Sequence, residues 1–382
     1  MLIIETRFVV SGTSTVWGGI FLPKQGIKIE NLKDILRSTH ENVRWSLCIG
    51  AGTSQPIFPD WFSLVDTMID SVSETDPKIK ISLDKIKKMG FSPDSIIQAL
   101  KNLVNLNEEE FLDLMSCSLY GNLMDIVGPA KWKSISAVLE TSNPSYYKDS
   151  LWKDFIETRN TTFQNSTANL LANVLIKARE KGVAPDAILS FNAESLLLAL
   201  MNSYIREPFI GKTKAAGDVP KICDKIVDST STSYSNHIAY VHCHGILPIP
   251  GAKKTRLTPS DKLVFTENSY LQLSNNAFSW QSSNFINTCM NQRVVFVGVS
   301  LTDPNMRKWL SWIHQNRLNE YSELGIEPKN STQHYWIKTL PESEEEMLWF
   351  ESAVAHLGVR IIWINSWDEV GTALSKMLGL ER

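Results

Sequence analysis

Six short apolar, β-branched runs, at residues 43–49, 187–191, 237–241, 294–299, 335–337 and 359–364, constrain this chain more than any other feature of its sequence. Helical periodicity at residues 195–204, 305–314, 344–356 and 369–378 separates most of them. Continuous apolar strands are buried on both faces, and alternation with helices supplies the crossovers that parallel pairing requires. The expected fold is therefore α/β, a doubly wound parallel sheet of about six strands.

Two segments fall outside that alternation. Residues 2–10 and 15–22 are β-branched and aromatic runs around Ser11-Gly12-Thr13, which predicts an N-terminal β-hairpin. Residues 96–106, 108–115, 135–139 and 170–178 carry helical periodicity with few β-branched runs between them, which predicts a helical insertion over about 75–183. The expected organisation is an extension over residues 1–40 and a main domain over 41–382 that holds the insertion. Residues 32–40 read as a helix, and Asp60 as the cap of another that begins at Pro59-Asp60-Trp61.

The 382 residues carry a net charge of −3, with 43% hydrophobic and 21% charged residues. No overall basicity marks the chain for nucleic acid, so direct nucleic-acid binding is not expected. No apolar stretch approaches the ~18 residues that span a bilayer, and the first ten residues are too short and acid-bearing for a signal peptide. A cytoplasmic location away from membranes is expected. The five cysteines are scattered, with no C-x-x-C pair, so neither a disulfide framework nor a cysteine zinc site is legible and no metal is expected. The twelve tryptophans point to core or subunit-interface packing, and a homo-oligomer is expected.

Four strand ends carry polar groups that a core does not require. The run 43–49 breaks into Gly50-Ala51-Gly52-Thr53-Ser54, a turn that brings backbone close to a phosphate with no side chain between. The second ends in Phe191-Asn192-Ala193-Glu194, where an amide leaves a buried strand; a helix N-cap is the alternative role for Asn192. At the third, His242-Cys243-His244-Gly245, strand alternation places both histidines on one face, which raises metal binding as an alternative. The fourth breaks into Gly298-Val299-Ser300-Leu301-Thr302-Asp303-Pro304-Asn305, with Asp303 suited to cap a helix that begins at Pro304.

In order and spacing these four motifs resemble those of the bacterial sirtuin-like proteins, over about residues 44–378, the last motif being the most specific. The resemblance implies a Rossmann-like fold with NAD as substrate. It implies that Gly50, Ala51, Gly52, Thr53 and Ser54 hold the NAD phosphates and that Gly298 and Ser300 line the adenosine ribose, with Asp60, Glu194, Asp303 and Asn305 completing the site. Asn192 then stands beside the nicotinamide ribose and His244 is the base, while His242 is left to packing. The chain departs from the family at Glu194, where an Asp is usual, at Gln55–Phe58, where a glycine-containing approach is usual, and in lacking the cysteine zinc module of protein-deacylating sirtuins.

The residue types suit glycosidic cleavage. Nicotinamide leaves readily from an anomeric carbon, so the chemistry needs a stabilised oxocarbenium-like ribose and a placed nucleophile more than an acid. The asparagine amide can hold a water and a ribose hydroxyl, and imidazole can take a proton near neutrality. The function expected is NAD glycohydrolysis to nicotinamide and ADP-ribose. The resemblance adds NAD depletion in anti-phage abortive infection, with a HerA-type hexameric ATPase as partner. NAD-dependent protein deacylation, or a non-catalytic subunit that senses NAD or ADP-ribose, are the alternatives.

Overall fold

The computed structural model describes residues 25–36, 44–212, 219–230, 233, 236–252, 263–275, 279–325 and 333–380. The predicted N-terminal hairpin and residues 37–40 lie outside them. Among the described residues eight strands, all parallel, form one sheet: β1 (Ile27–Lys28), β2 (Trp45–Ile49), β3 (Ala187–Ser190), β4 (Cys223–Ile226), β5 (Ile238–His242), β6 (Arg293–Val297), β7 (His334–Thr339) and β8 (Val359–Ile364). Their spatial order is β1-β8-β7-β6-β2-β3-β5-β4.

The α/β class is as the sequence predicts, with two more strands than expected. β1 is only two residues long and gives no periodic signal. β4 reads Cys-Asp-Lys-Ile; as an edge strand it tolerates charge, and Asp224 is ion-paired with Lys221 at 2.7 Å. Residues 32–36 are not helical: a single 3₁₀ turn at Ile29–Asn31 precedes them, and Leu32 and Leu36 are buried without forming a helix.

Apolar residues alternate across the pleat, so each strand serves two cores. Leu47, Ile49, Ile188, Tyr240, Val295, Val297, Ile337 and Ile362 face one cluster, packed with α6 (Thr167–Glu180), α7 (Leu196–Arg206) and α12 (Val370–Met377). Cys48, Leu189, Val241, Val294, Phe296, Trp336 and Ile361 face the other, packed with α9 (Trp280–Asn291) and α10 (Pro304–Glu323). Burial on both faces explains why the sequence shows runs rather than alternation.

Between β2 and β3 lie six helices: α1 (Trp61–Ser73), α2 (Leu83–Lys88), α3 (Pro93–Leu103), α4 (Glu108–Glu140), α5 (Asp149–Thr161) and α6. Asn107 and Glu110 form a reciprocal capping box at the start of α4. Gly128, at φ +71°, and Pro129 break its run, because proline lacks the amide a continuous helix needs. The helix α8 (Glu267–Asn275) packs near α3, and α11 (Glu344–Ala355) precedes β8.

The strand order places a topological switch point between β2 and β6. The chain leaves β2 toward β3 on one side and leaves β6 toward β7 on the other, so their outgoing loops diverge and open a crevice.

Candidate functional site

Register decides which loops meet. Ile49 pairs with Ser190 and with Val297, and Ser190 with His242, so four strands end on one row. The residues that follow, Gly50, Phe191-Asn192, Cys243-His244 and Gly298, therefore emerge together at one carboxyl edge of the sheet.

Across the switch point the glycine turns interlock. The Gly50 amide donates to the Val297 carbonyl at 3.2 Å and the Gly52 amide to the Gly298 carbonyl at 3.0 Å. A Cβ on Gly298, whose φ is +65°, would lie 2.3 Å from the Thr53 nitrogen, and one on Gly50 would lie 2.7 Å from the Gly298 oxygen. The glycines thus permit loop-to-loop contact as well as approach by a ligand. The Thr53 and Ser54 amides donate back to Gly50 and Ala51, so four amides of the turn are committed within the protein and the turn is not a ring of free donors. Thr53 faces the interior, where its hydroxyl donates to the Val297 carbonyl at 3.0 Å.

A cleft of about 660 Å³ opens above these turns. Of the residues singled out in the sequence, Gly50, Ala51, Gly52, Asp60, His244, Gly298, Ser300, Asp303 and Asn305 line it. Asn192, Ser54 and Glu194 instead line a side cavity of about 20 Å³ whose walls at Ala51, Asp60 and Trp61 are shared with the cleft. Asp60 and Asp303 cap α1 and α10 by accepting from Ser63 and from Asn305 and Met306, so the N-termini of these two helices at the cleft already carry carboxylates. Leu301, buried at φ +53°, holds the loop before α10 in a left-handed turn, and the Arg307 guanidinium donates to its carbonyl at 3.0 Å.

Asn192 is not the cap of α7. Glu194 accepts from the Leu196 amide at the start of that helix, and its other oxygen accepts from Ser54 Oγ at 2.6 Å and from Asn192 Nδ2 at 2.9 Å. Asn192 Nδ2 also donates to Ser54 Oγ at 3.0 Å. The amide nitrogen thus faces Glu194 and Ser54, and the buried Oδ1 has no partner among the described residues. Burial raises the Glu194 carboxyl, and the bonds from Ser54, Leu196 and Asn192 oppose that rise. Glu194 therefore fixes Asn192 as an acceptor.

The histidines separate. β5 ends at His242, so strand alternation does not carry on to His244. His242 is fully buried beside Ser195 and Tyr240, whereas the His244 ring packs edge-on to Phe191 at 4.7 Å and reaches the cleft. Burial lowers the His244 imidazole to about 4, against the raising influence of Asp303 and Asp94. Burial, helped by the Lys225 charge, lowers His242 to about 3. His334, buried in β7 where Nδ1 accepts from the Val294 amide, is lowered to about 3 for the same first reason.

These depressed values make acid a denaturant. Below the ordinary histidine value of 6.5 the unfolded chain binds protons that the folded chain refuses, until pH reaches the folded values of about 3 to 4. Stability should fall by about 1.4 kcal/mol per pH unit for each of the three across that window, with no loss from them above it. Urea midpoints at pH 7 and pH 5 check this, and equal midpoints would contradict it.

Sequence reasoning missed Trp61, Asp94, Glu267 and Tyr270, which also line the cleft. Ser92-Pro93 marks a helix start before Asp94, but only folding brings α3 and α8 to the sheet edge. Four carboxylates, Asp60, Asp94, Glu267 and Asp303, face the cleft and no lysine or arginine does among the described residues. Such a lining favours cationic character in a bound group. No group of three metal-ligating side chains is gathered among the described residues, and none of their helices is long and apolar enough to cross a membrane.

No curated protein matches this chain. The model of the SIR2-like domain does, over residues 199–358, a span that contains His244 and the 298–305 loop; Gly50–Ser54 and Asn192 precede it and join through strand register. Over that span the chain is similar to the SIR2-like domain, a domain that binds NAD.

Proposed function

We propose that this protein is an NAD glycohydrolase. The observation that carries the reading is the convergence of a locked asparagine acceptor, Asn192, and a neutral buried imidazole, His244, on adjoining cavities at the switch point of the sheet. The side cavity beside Asn192, at about 20 Å³, has room for one water, since roughly 10–15 Å³ suffices.

In the reaction the bond from C1′ of the ribose to the nicotinamide nitrogen breaks and its electron pair leaves with nicotinamide. Positive charge develops on the ribose, where the carboxylate-lined cleft stabilises it. Water adds to C1′, and the proton it loses passes to His244 and then to solvent. NAD⁺ and water thus give nicotinamide, ADP-ribose and a proton. Asn192 Oδ1 accepts from the water or from a ribose hydroxyl and holds it in line.

The test is incubation of the purified chain with NAD and no acylated peptide. Release of nicotinamide and ADP-ribose in equal amounts supports hydrolysis. Nicotinamide released only when an acyl-lysine peptide is supplied would replace it with deacylation.

The biological setting proposed with this activity is NAD depletion during phage infection, in a homo-oligomer with a HerA-type ATPase as partner. It is supported by the resemblance of the motifs and by the exposed Leu348 and Trp349 side by side on α11. Light scattering is expected to find more than one chain per particle; a single-chain mass, alone and with the ATPase, would overturn that assembly.

A further inference from the structure

We propose that Tyr270 is a positioning residue that accepts the Nδ1–H of His244 and so reserves Nε2 as the proton acceptor. This assignment of a role rests on the hydrolysis reading above.

Tyr270 lies on α8, which no sequence motif marks, and its Oη is 3.2 Å from His244 Nδ1. The two rings meet edge-on at 5.2 Å and 82°, with Phe191 edge-on to the same imidazole at 82°. The imidazole is therefore held from two sides, and the phenol oxygen is the polar atom that meets its Nδ1.

Neutral imidazole carries one N–H, so this contact has two forms with opposite consequences. If Oη–H donates to Nδ1, the hydrogen sits on Nε2, and His244 has no lone pair to offer. If Nδ1–H donates to Oη, Nε2 is bare and can take a proton.

The surroundings favour the second form. The carboxylates of Asp94 and Asp303 act on both His244 and Tyr270, and Glu267 lines the same cleft. They repel a phenolate and attract a phenol hydrogen, which can turn toward the cleft and leave an oxygen lone pair for Nδ1–H. After proton transfer the imidazolium bears hydrogen on both nitrogens, and only the second form needs no rearrangement at Nδ1. Tyr270 then serves the base before and after the transfer, and holds it in the orientation that the reaction uses.

The experiment is a long-range ¹H–¹⁵N spectrum of the full chain labelled with ¹⁵N-histidine, the His244 signal being identified by its loss in His244→Gln. The expected result is protonated Nδ1 and bare Nε2, a shift toward the other tautomer in Tyr270→Phe, and a fall in nicotinamide turnover of about 10- to 100-fold with KM for NAD unchanged. A melting temperature within a few degrees of the parent would exclude a folding defect in Tyr270→Phe. Nε2–H in the parent protein, or one and the same His244 signal in parent and variant, would overturn the pairing. The expected spectrum from a parent chain that releases no nicotinamide would uphold the pairing as structure and overturn its role, the hydrolysis reading being what had failed.

Discussion

Nicotinamide release should fall by about 10²- to 10⁴-fold in Asn192→Ala and in His244→Ala, the range that loss of an electrostatic or general-base group produces. The two losses have different origins. Asn192→Ala removes the one atom of the side cavity that is buried, polar and unpartnered, Oδ1, and leaves the Ser54–Glu194 bond in place. His244→Ala removes the proton acceptor of the main cleft, and because burial lowers that imidazole to about 4, the parent enzyme should lose no turnover to its protonation down to about pH 6.5, where an ordinary imidazole is already half protonated. Since the two groups serve one step, the double variant should be little worse than either single one.

Glu194→Gln belongs to the same measurement. A glutamine amide can donate as well as accept, so it no longer compels Asn192 to turn its nitrogen inward. A fall of about 10-fold is expected, smaller than for Asn192→Ala because half of the orientations remain productive and Ser54 Oγ still accepts from Nδ2. A Glu194→Gln chain as active as the parent would mean that Asn192 is oriented by something other than this carboxylate.

The second large effect concerns stability. Gly298→Ala should lower it by about 3 kcal/mol or more, seen as a lower urea midpoint at unchanged slope. Two penalties combine: a left-handed φ of +65°, about 1–2 kcal/mol for a residue with a Cβ, and a methyl carbon set 2.3 Å from the Thr53 nitrogen and 2.5 Å from its hydroxyl oxygen. Gly325 separates them, since it has the same φ of +65° with nothing within 4 Å of a built Cβ. Gly325→Ala should show the dihedral penalty alone, about 1–2 kcal/mol. Equal losses at the two positions would refute the claim that the two glycine turns are packed into each other.

Much of the fold is legible because its signals are local. The apolar run before Gly50 needs only neighbouring residues to be recognised, and so does the proline after Asp303 that begins α10. β4 escaped because an edge strand needs no continuous apolar run: Asp224 and Lys225 break the pattern, and Lys221 neutralises the aspartate from outside the strand. The end of β5 escaped as well. Alternation predicts one face for His242 and His244, but the strand ends at His242 and the chain turns there, the Gly245 amide donating to the His242 carbonyl at 3.1 Å, so that His244 meets the cleft.

By itself the amino-acid order determined the α/β class, the glycine turn after β2, the aspartate caps of α1 and α10, and the polar residues at the strand ends. Each of these follows from dihedral preference, side-chain periodicity or a hydrogen bond a few residues away. Only the tertiary structure decided that β2 lies between β3 and β6, that their ends share one register row, that Glu194 locks the Asn192 amide, and that Tyr270 from a distant helix meets His244. Those outcomes depend on which faces the helices cover and on contacts between residues far apart in the chain, which no local pattern encodes.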